Sequence, residues 1–449
     1  MKLPRKPPNI QPLLSELFAK QPDLLHAAPT LRDGGYLHWD QLRHRPVPEG
    51  LTAEAWWAAM RFARSRQAHP VQAMVNCYHE PFSIVDLPSI QRSLHELDRT
   101  NVGQTILSAL GNPDAQVEYQ VRQLIEEAIS SSEIEGARPT TRELARHMLR
   151  EGRPPASRDE RMIMNNWRAM DRLQELHRER AELDIAHLLE LHAILGDGAL
   201  DVDGAAGTLR TPAQNAAVSD LEGNIWHRPP DAHGIEARVK ALLQFANGGP
   251  GDPNEFIHPI VRAIVAHFWL GYEHPFRDGN GRMARALFYF CLLRHGYEVA
   301  EFLSISGPID RSPMSYYLAF AHAESDDGDL TYFVRHQLDV MQTALSDLLA
   351  HLQRKAERLR RLSARVAAFD ALNHRQRSLL EHAIHHPAEG QTFEGHARSH
   401  RIHYMTARSD LTDLEKRGFL VSRRVQKVKR YYPAPSSLQS AARMPQGLS

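Results

Sequence analysis

Between positions 274 and 285 the chain reads His274-Pro275-Phe276-Arg277-Asp278-Gly279-Asn280-Gly281-Arg282-Met283-Ala284-Arg285. An imidazole, whose ordinary pKa is about 6.5, can take a proton from an attacking hydroxyl at neutral pH, which makes His274 a candidate base. Asp278 offers a hard oxygen ligand of the kind Mg2+ takes while it keeps waters and bridges phosphates. Arg282 and Arg285 stand three apart, so on a helix they leave from one face and can both grip phosphate. The apolar spacing predicts one helix over 261–272 and another over 282–293, leaving Gly279, Asn280 and Gly281 as the turn that opens the second. There, unpaired N–H groups and the positive end of the helix dipole face an anion, and small residues let the backbone come close. No packing requirement explains His, Asp, Gly-Asn-Gly and two Arg within twelve residues; handling of a polyphosphate does.

The other chemically loaded stretch closes the helix predicted over 116–136, Ser130-Ser131-Ser132-Glu133-Ile134-Glu135-Gly136. Gly136 suits the left-handed residue after a helix, and Pro139 prevents continuation. Glu133 and Glu135 face the negative end of the dipole, a placement that costs about 0.3–1 kcal/mol when exposed, so each needs solvent or a cation. From the residues alone a solvated acidic helix end is the simpler account.

The first stretch resembles the signature of the Fic (filamentation induced by cAMP) family, His-Pro-Phe-x-Asp-Gly-Asn-Gly-Arg-x-x-Arg, and matches it at every fixed position. The resemblance implies a protein adenylyltransferase that moves AMP from ATP to a hydroxyl side chain of a target protein and releases pyrophosphate. It implies that His274 is the base, that Asp278 holds the Mg2+ bridging the α- and β-phosphates, and that Phe276 packs inward to shape the loop. Gly279, Asn280 and Gly281 would hold the α-phosphate, Arg282 the β-phosphate and Arg285 the γ-phosphate. Ser131-x-x-x-Glu135-Gly136 is similar to the family's inhibitory motif. This implies that Glu135 pairs with Arg285, in the planar bidentate manner of an Arg–carboxylate fork, and occupies the space of the ATP γ-phosphate. Tyr316-Tyr317 matches another family feature, making Tyr317 a candidate at the base or ribose against the plainer reading of a core tyrosine. The Gly-, Asn- and Pro-rich span 197–230, with a turn at Glu222-Gly223-Asn224, corresponds to the flap that pairs with the target's main chain. The same site can also be read in reverse, with Glu135 orienting a water to hydrolyse an AMP–protein bond. A phosphotransferase fits less well, because relatives that phosphorylate depart from Gly-Asn-Gly-Arg.

Equal numbers of basic and acidic residues, 54 each, give no overall pull towards nucleic acid or anionic lipid. Two cysteines, Cys77 and Cys291, argue against a disulfide framework or a zinc site. The basic N-terminus lacks a following apolar segment and no window reaches a membrane span, so the expectation is a cytoplasmic protein without signal peptide or membrane contact. Of the 26 histidines, His382, His385 and His386 cluster most tightly, yet no ligand pattern completes a metal site.

The elements that must position this chemistry predict a mainly α chain. A helical N-terminal extension covers 1–110, with Thr52 as an N-cap, Trp56 and Trp57 packed between layers, a short amphipathic segment at 13–18 docking loosely, and a strand near 82–85. A helical catalytic core covers 111–350, with the inhibitory helix at 116–136 and a β-hairpin flap at about 205–228. Asp329 is a candidate cap for a helix running to about Arg358. A linker helix at 351–370 leads to a domain at 371–435 that resembles a winged helix-turn-helix, and a disordered tail covers 436–449. Arg423, Arg424, Lys427, Lys429 and Arg430 suffice for phosphate contacts, so DNA is a candidate partner through 403–430, although such domains also bind protein. A DNA-binding regulator with a nucleotide-sensing core is therefore the reading from another class. The expected partners are ATP and a protein bearing a Ser, Thr or Tyr hydroxyl; self-modification and a homo-oligomer are both compatible with the sequence.

Overall fold

The computed structural model describes residues 3–20, 36–76, 78–101, 113–138, 142–200, 204–214, 216–219, 222–248, 256–365, 372–385, 389–425 and 428–434. Cys77, Pro139, His386, Lys427 and the tail from 435 lie outside them, as does part of the predicted linker, residues 366–370.

The fold is mainly helical. In the N-terminal extension, α1 (Ile10–Lys20) buries Leu14 and Leu17 against Ala58 and Ala59 of α3 (Ala53–Ser65); α2 (Trp39–Leu42) lies between them in sequence. Thr52 caps α3 by accepting the Ala55 N–H at 3.1 Å. Strands β1 (Ala68–Val75) and β2 (Pro81–Val85) then pair antiparallel, with an irregularity between Val71 and Val75. The extension meets the core through buried polar groups. Arg61 donates to Asp326 at 2.5 Å, and Tyr36 donates to Asp329.

The extension ends with α4 (Pro88–Asn101), and the core begins with α5 (Pro113–Ile134), α6 (Arg142–Glu151), α7 (Arg158–Arg178) and α8 (Ile185–Gly196). After the short hairpin β3 (Val218–Ser219) and β4 (Ile225–His227) come α9 (Ile235–Ala246), α10 (Pro259–Glu273) and α11 (Asn280–Arg294). Helices α10 and α11 form the centre. Ile264, Phe268, Leu270, Leu287 and Phe288 are fully buried there, which is how helices apolar on nearly every side must sit. Around them pack α12 (Ser306–Arg311), α13 (Pro313–Ser325) and the long α14 (Thr331–Arg365). Asp329 accepts the Thr331 N–H at 3.0 Å, as its place before that helix suggests. Helix α14 continues past Arg358 to Arg365, because nothing in its basic tail breaks a helix.

The C-terminal module comprises α15 (His374–His385), α16 (Phe393–His400), α17 (Tyr404–Lys416) and the hairpin β5 (Leu420–Val425) and β6 (Val428–Pro433), closed over Leu379, Leu411, Leu414 and Tyr431. It packs on the core through α16 against α5 and α6. No described helix is long and apolar enough to cross a membrane.

Candidate active site

Helix α10 starts at Pro259, whose missing N–H is no loss in a first turn, and ends where His274 turns left-handed at φ +46°. A non-glycine residue stays in that region only when its surroundings hold it. Arg210, itself buried, does this holding. Its guanidinium donates to the carbonyls of His274 at 2.8 Å, Glu273 at 3.2 Å and Pro230 at 2.5 Å, and its N–H donates to Pro275 at 2.9 Å. A cation on the last carbonyls of a helix also complements the dipole. The His274 Nδ1 lies 3.3 Å from the Gly271 carbonyl. A carbonyl only accepts, so Nδ1 carries the proton and Nε2 keeps its lone pair. Burial first, and then the neighbouring His227, push the His274 pKa down to about 4, which leaves the ring a neutral base at pH 7.

The loop after His274 is braced from inside. Phe276 is fully buried and stacks on the His192 ring with centroids 3.7 Å apart. The Asn280 amide brackets Phe276, accepting its N–H at 2.9 Å and donating to its carbonyl at 2.8 Å. The Asn280 side chain is thus committed to loop shape, which leaves its backbone N–H for an anion. One correction concerns the turn, since α11 already begins at Asn280, with Gly279 alone as the non-helical residue at φ +80°. Asp278 accepts the Gly279 N–H at 2.6 Å, and its carboxylate is half-exposed. A single hard carboxylate beside a phosphate cradle fits Mg2+, which takes one or two protein oxygens and completes its shell with phosphates and water.

Both signature arginines are buried. Arg282 donates to the Leu195 carbonyl at 3.1 Å and leaves its Nε without a partner among the described residues; the Arg285 Nη1 is left the same way. Buried donors without acceptors are rare and suit a site built for an anion. Burial lowers the Arg282 pKa. For Arg285 burial, the largest cause, works in the same direction, but Glu135, Tyr316 and Glu127 together outweigh it and the net shift is upward.

Helix α5 delivers its C-terminal end to Arg285. Ser131 accepts the Arg285 Nε–H on its hydroxyl at 2.8 Å and an Nη2–H on its carbonyl at 2.9 Å, and Glu135 accepts from Nη2 at 2.8 Å. The expected carboxylate fork is thus a single bond, because Ser131 already occupies Nε. Each acidic residue at this helix end has found a cation, Glu133 taking Arg142 at 3.3 Å. Gly136 follows at φ +95°. Gly281 lies so close to Glu135 that a Cβ there would meet the carboxylate at 2.0 Å. Tyr317 is half-buried; burial and then the Glu135 charge raise its hydroxyl to about 12. Its neighbour Tyr316 is the core tyrosine, bonded to His267 at 2.8 Å.

Three positioning groups escaped the sequence reading. His192 accepts the Gly207 N–H on Nδ1 at 3.0 Å and donates from Nε2 to the Asp278 carbonyl at 2.9 Å, joining α8, the loop leading to the hairpin, and the turn after Phe276. A lone histidine in the apolar run of α8 was its only signal. Arg210 is the second. The third is His227, which donates to the Tyr272 carbonyl at 2.7 Å and lies 2.7 Å from the Glu324 carboxylate, tying β4 to α10 and α13. The hairpin itself is short, with Val218 opposite His227 and Ser219 opposite Ile225. In the C-terminal hairpin, Lys429 pairs with Glu415 at 2.9 Å and Arg430 donates to the Gly390 carbonyl at 3.1 Å, so two of its cations are engaged internally. Among the described residues no group of three His, Cys, Asp or Glu could hold a metal ion, and His382 bonds Glu389 at 3.2 Å.

Residues 182–292 match the Fic/DOC family model. The protein adenylyltransferase Fic of Drosophila sechellia is 29% identical over 161 residues, spanning 34% of this chain and 30% of that protein. Protein adenylyltransferase fic-1 of Caenorhabditis elegans is 30% identical over 161 residues, or 36% of this chain and 28% of the relative. The match therefore spans less than a third of the length of these curated relatives. Among solved structures, a Fic family protein from Desulfovibrio desulfuricans G20 is 19% identical with a TM-score of 0.49, covering 78% of this chain and 97% of that one.

Proposed function

We propose that this chain, whose residues 182–292 match the Fic/DOC family model, transfers AMP from ATP to a hydroxyl of a protein and is held in check by Glu135. In this reading Nε2 of His274 takes the hydroxyl proton as the oxygen attacks the α-phosphorus. A new P–O ester bond forms, the bond between the α-phosphorus and the bridging oxygen breaks, and pyrophosphate leaves. The backbone N–H groups opening α11 receive the α-phosphate, and the unpartnered donors of Arg282 and Arg285 receive the β- and γ-phosphates. Asp278 would hold Mg2+, which when bound neutralises phosphate charge. The β3–β4 edge receives the target main chain.

The observation that carries the reading is the 2.8 Å contact of Glu135 with Arg285, the cation this reading assigns to the γ-phosphate. A carboxylate there competes with a phosphate for the same guanidinium. The test uses ATP labelled at the α-phosphate with wild type, Glu135→Gly and Glu135→Gly/His274→Ala. Label should stay on the Glu135→Gly protein or its target, be weak with wild type and be absent from the double variant. Absence of label from all three proteins refutes the transfer reading.

A further inference from the structure

The hairpin assigned to the target and the turn assigned to phosphate and Mg2+ meet at one ring. His192 is fully buried on α8, its face lying at 11° to that of Phe276. Its Nε2–H donates to the Asp278 carbonyl at 2.9 Å, and its Nδ1 accepts the Gly207 N–H at 3.0 Å. One partner accepts and the other donates, so only the neutral ring with its proton on Nε2 satisfies both. No rotatable bond separates the two nitrogens, and a shift of Asp278 therefore reaches Gly207 undamped.

Gly207 itself is held close to α8. Its φ is +70°, and a Cβ there would meet the Ala193 Cβ at 3.1 Å and the Leu189 carbonyl at 3.3 Å. Three residues on, Arg210 holds the Glu273 and His274 carbonyls. The segment 207–210 ahead of the hairpin is thus tied to both ends of the turn, to His274 by Arg210 and to Asp278 by His192. Behind the hairpin, His227 donates to the Tyr272 carbonyl and Pro230 accepts from Arg210. Arg210 and His227 grip the end of α10. Of the three groups, His192 alone reaches past Phe276, to the residue whose carboxylate is the candidate for Mg2+.

We propose that His192 is a positioning residue that couples the β3–β4 hairpin to Asp278, so that filling the nucleotide turn also orders the strip that receives the target. The proposal rests on the transfer reading for what docks at each place. A group that holds the backbone of a metal ligand sets that ligand's geometry. Coupling of this kind is reciprocal, so a target on the hairpin tightens the turn as the nucleotide steadies the hairpin.

The test cuts the bonds of the ring separately, in the full chain carrying Glu135→Gly. His192→Asn places an amide where Nδ1 was and keeps the Gly207 bond, His192→Gln reaches the Nε2 position and keeps the Asp278 bond, and His192→Phe keeps only the stack. Calorimetry gives the Mg2+ concentration that half-saturates ATP binding, and hydrogen–deuterium exchange reads the hairpin. In the parent, ATP with Mg2+ should slow exchange in 276–282 and in β3–β4. His192→Asn and His192→Phe should raise the Mg2+ requirement about tenfold, the low end for a group behind a metal ligand, because the bond is to the carbonyl and not the carboxylate. His192→Gln should leave it unchanged, and all three variants should lose the slowing at β3–β4. Variants that shift together in Mg2+ requirement, as a ring that only fills space predicts, or slowing at β3–β4 that persists in all three, would overturn the proposal. A parent that takes label from α-labelled ATP but shows no slowing at the hairpin overturns the coupling alone; a parent that neither binds ATP nor takes label overturns the transfer reading and the coupling with it.

Discussion

Glutamine at position 135 keeps an acceptor beside Arg285 and removes only the charge, which makes Glu135→Gln the sharpest probe of the inhibitory contact. The contact is one hydrogen bond of 2.8 Å to a guanidinium that is 1% exposed, from a carboxylate side chain that is 27% exposed. A hydrogen bond to a charged group contributes about 1.5–3 kcal/mol and a neutral one about 0.5–1.5 kcal/mol. The exposed carboxylate places Glu135 towards the low end. Glutamine should therefore weaken the hold on Arg285 by about 1–1.5 kcal/mol, and transfer should rise about five- to tenfold. Glycine removes the whole contact and should raise it by about ten- to a hundredfold. Initial rates of label incorporation from α-labelled ATP, with intact-protein mass to count added AMP, give the series wild type, Gln, Gly. Equal rates for wild type and Gln alongside a fast Gly variant would show that bulk, and not charge, blocks the site. Equal rates for all three would refute the ion-pair argument.

Because burial and His227 hold the His274 pKa near 4, transfer by the Glu135→Gly variant should keep its base form down to about pH 5. A kcat/KM acid limb with its midpoint at the ordinary imidazole value of about 6.5 would contradict this. Arg210→Met removes the cation that fixes the left-handed His274, and should lower kcat by about a hundredfold with little change in ATP affinity. An unchanged kcat would mean the turn holds without it. In the module, burial opposes the charge of Asp410, but bonds from His396, Arg375 and Asn373 more than offset it and hold its carboxyl well below the usual range. Its folded pKa is depressed, so this stabilisation is present above the ordinary carboxylate value and fades as pH falls through the folded one. Asp410→Asn at pH 7 should destabilise the module by about 3 kcal/mol, read by urea unfolding, and an unshifted midpoint would refute the assignment.

The shape of the candidate turn was legible because it is local: His274, Asp278, Gly279 and the two arginines are neighbours in sequence and take their geometry from one helix end and the next helix start. The contact of Glu135 with Arg285 joins residues 150 positions apart, and composition favoured a solvated helix end; only the motif pointed to the pairing. His192, Arg210 and His227 gave no pattern because their partners are mostly backbone carbonyls and N–H groups, which every residue has and no spacing rule marks. Strand β1 was missed for a similar reason. The register shift near Val75 breaks its alternation, leaving Val71 and Met74 as its buried positions. The forked geometry expected at Arg285 failed because Ser131 supplies a hydroxyl and a carbonyl to the same guanidinium.

On the proposed reading, the way α5 is anchored decides how the Glu135 contact is relieved. Helix α5 is tied to the module by Glu118 on Ser378, and to the start of α12 by buried Glu127, which accepts from the Ser304 hydroxyl at 2.8 Å and from the Ser306 N–H at 3.0 Å and hydroxyl at 2.5 Å. Lifting the helix would break several charge-assisted bonds in a buried setting, each contributing about 1.5–3 kcal/mol. Moving Glu135 alone breaks one. The helix ends at Ile134, and Gly136, with open space around it, gives the chain freedom just beyond the carboxylate. On the proposed reading ATP competes with a single side chain and not with a helix, and a Glu135 variant should gain activity while α5 keeps the hydrogen-exchange protection it has in wild type.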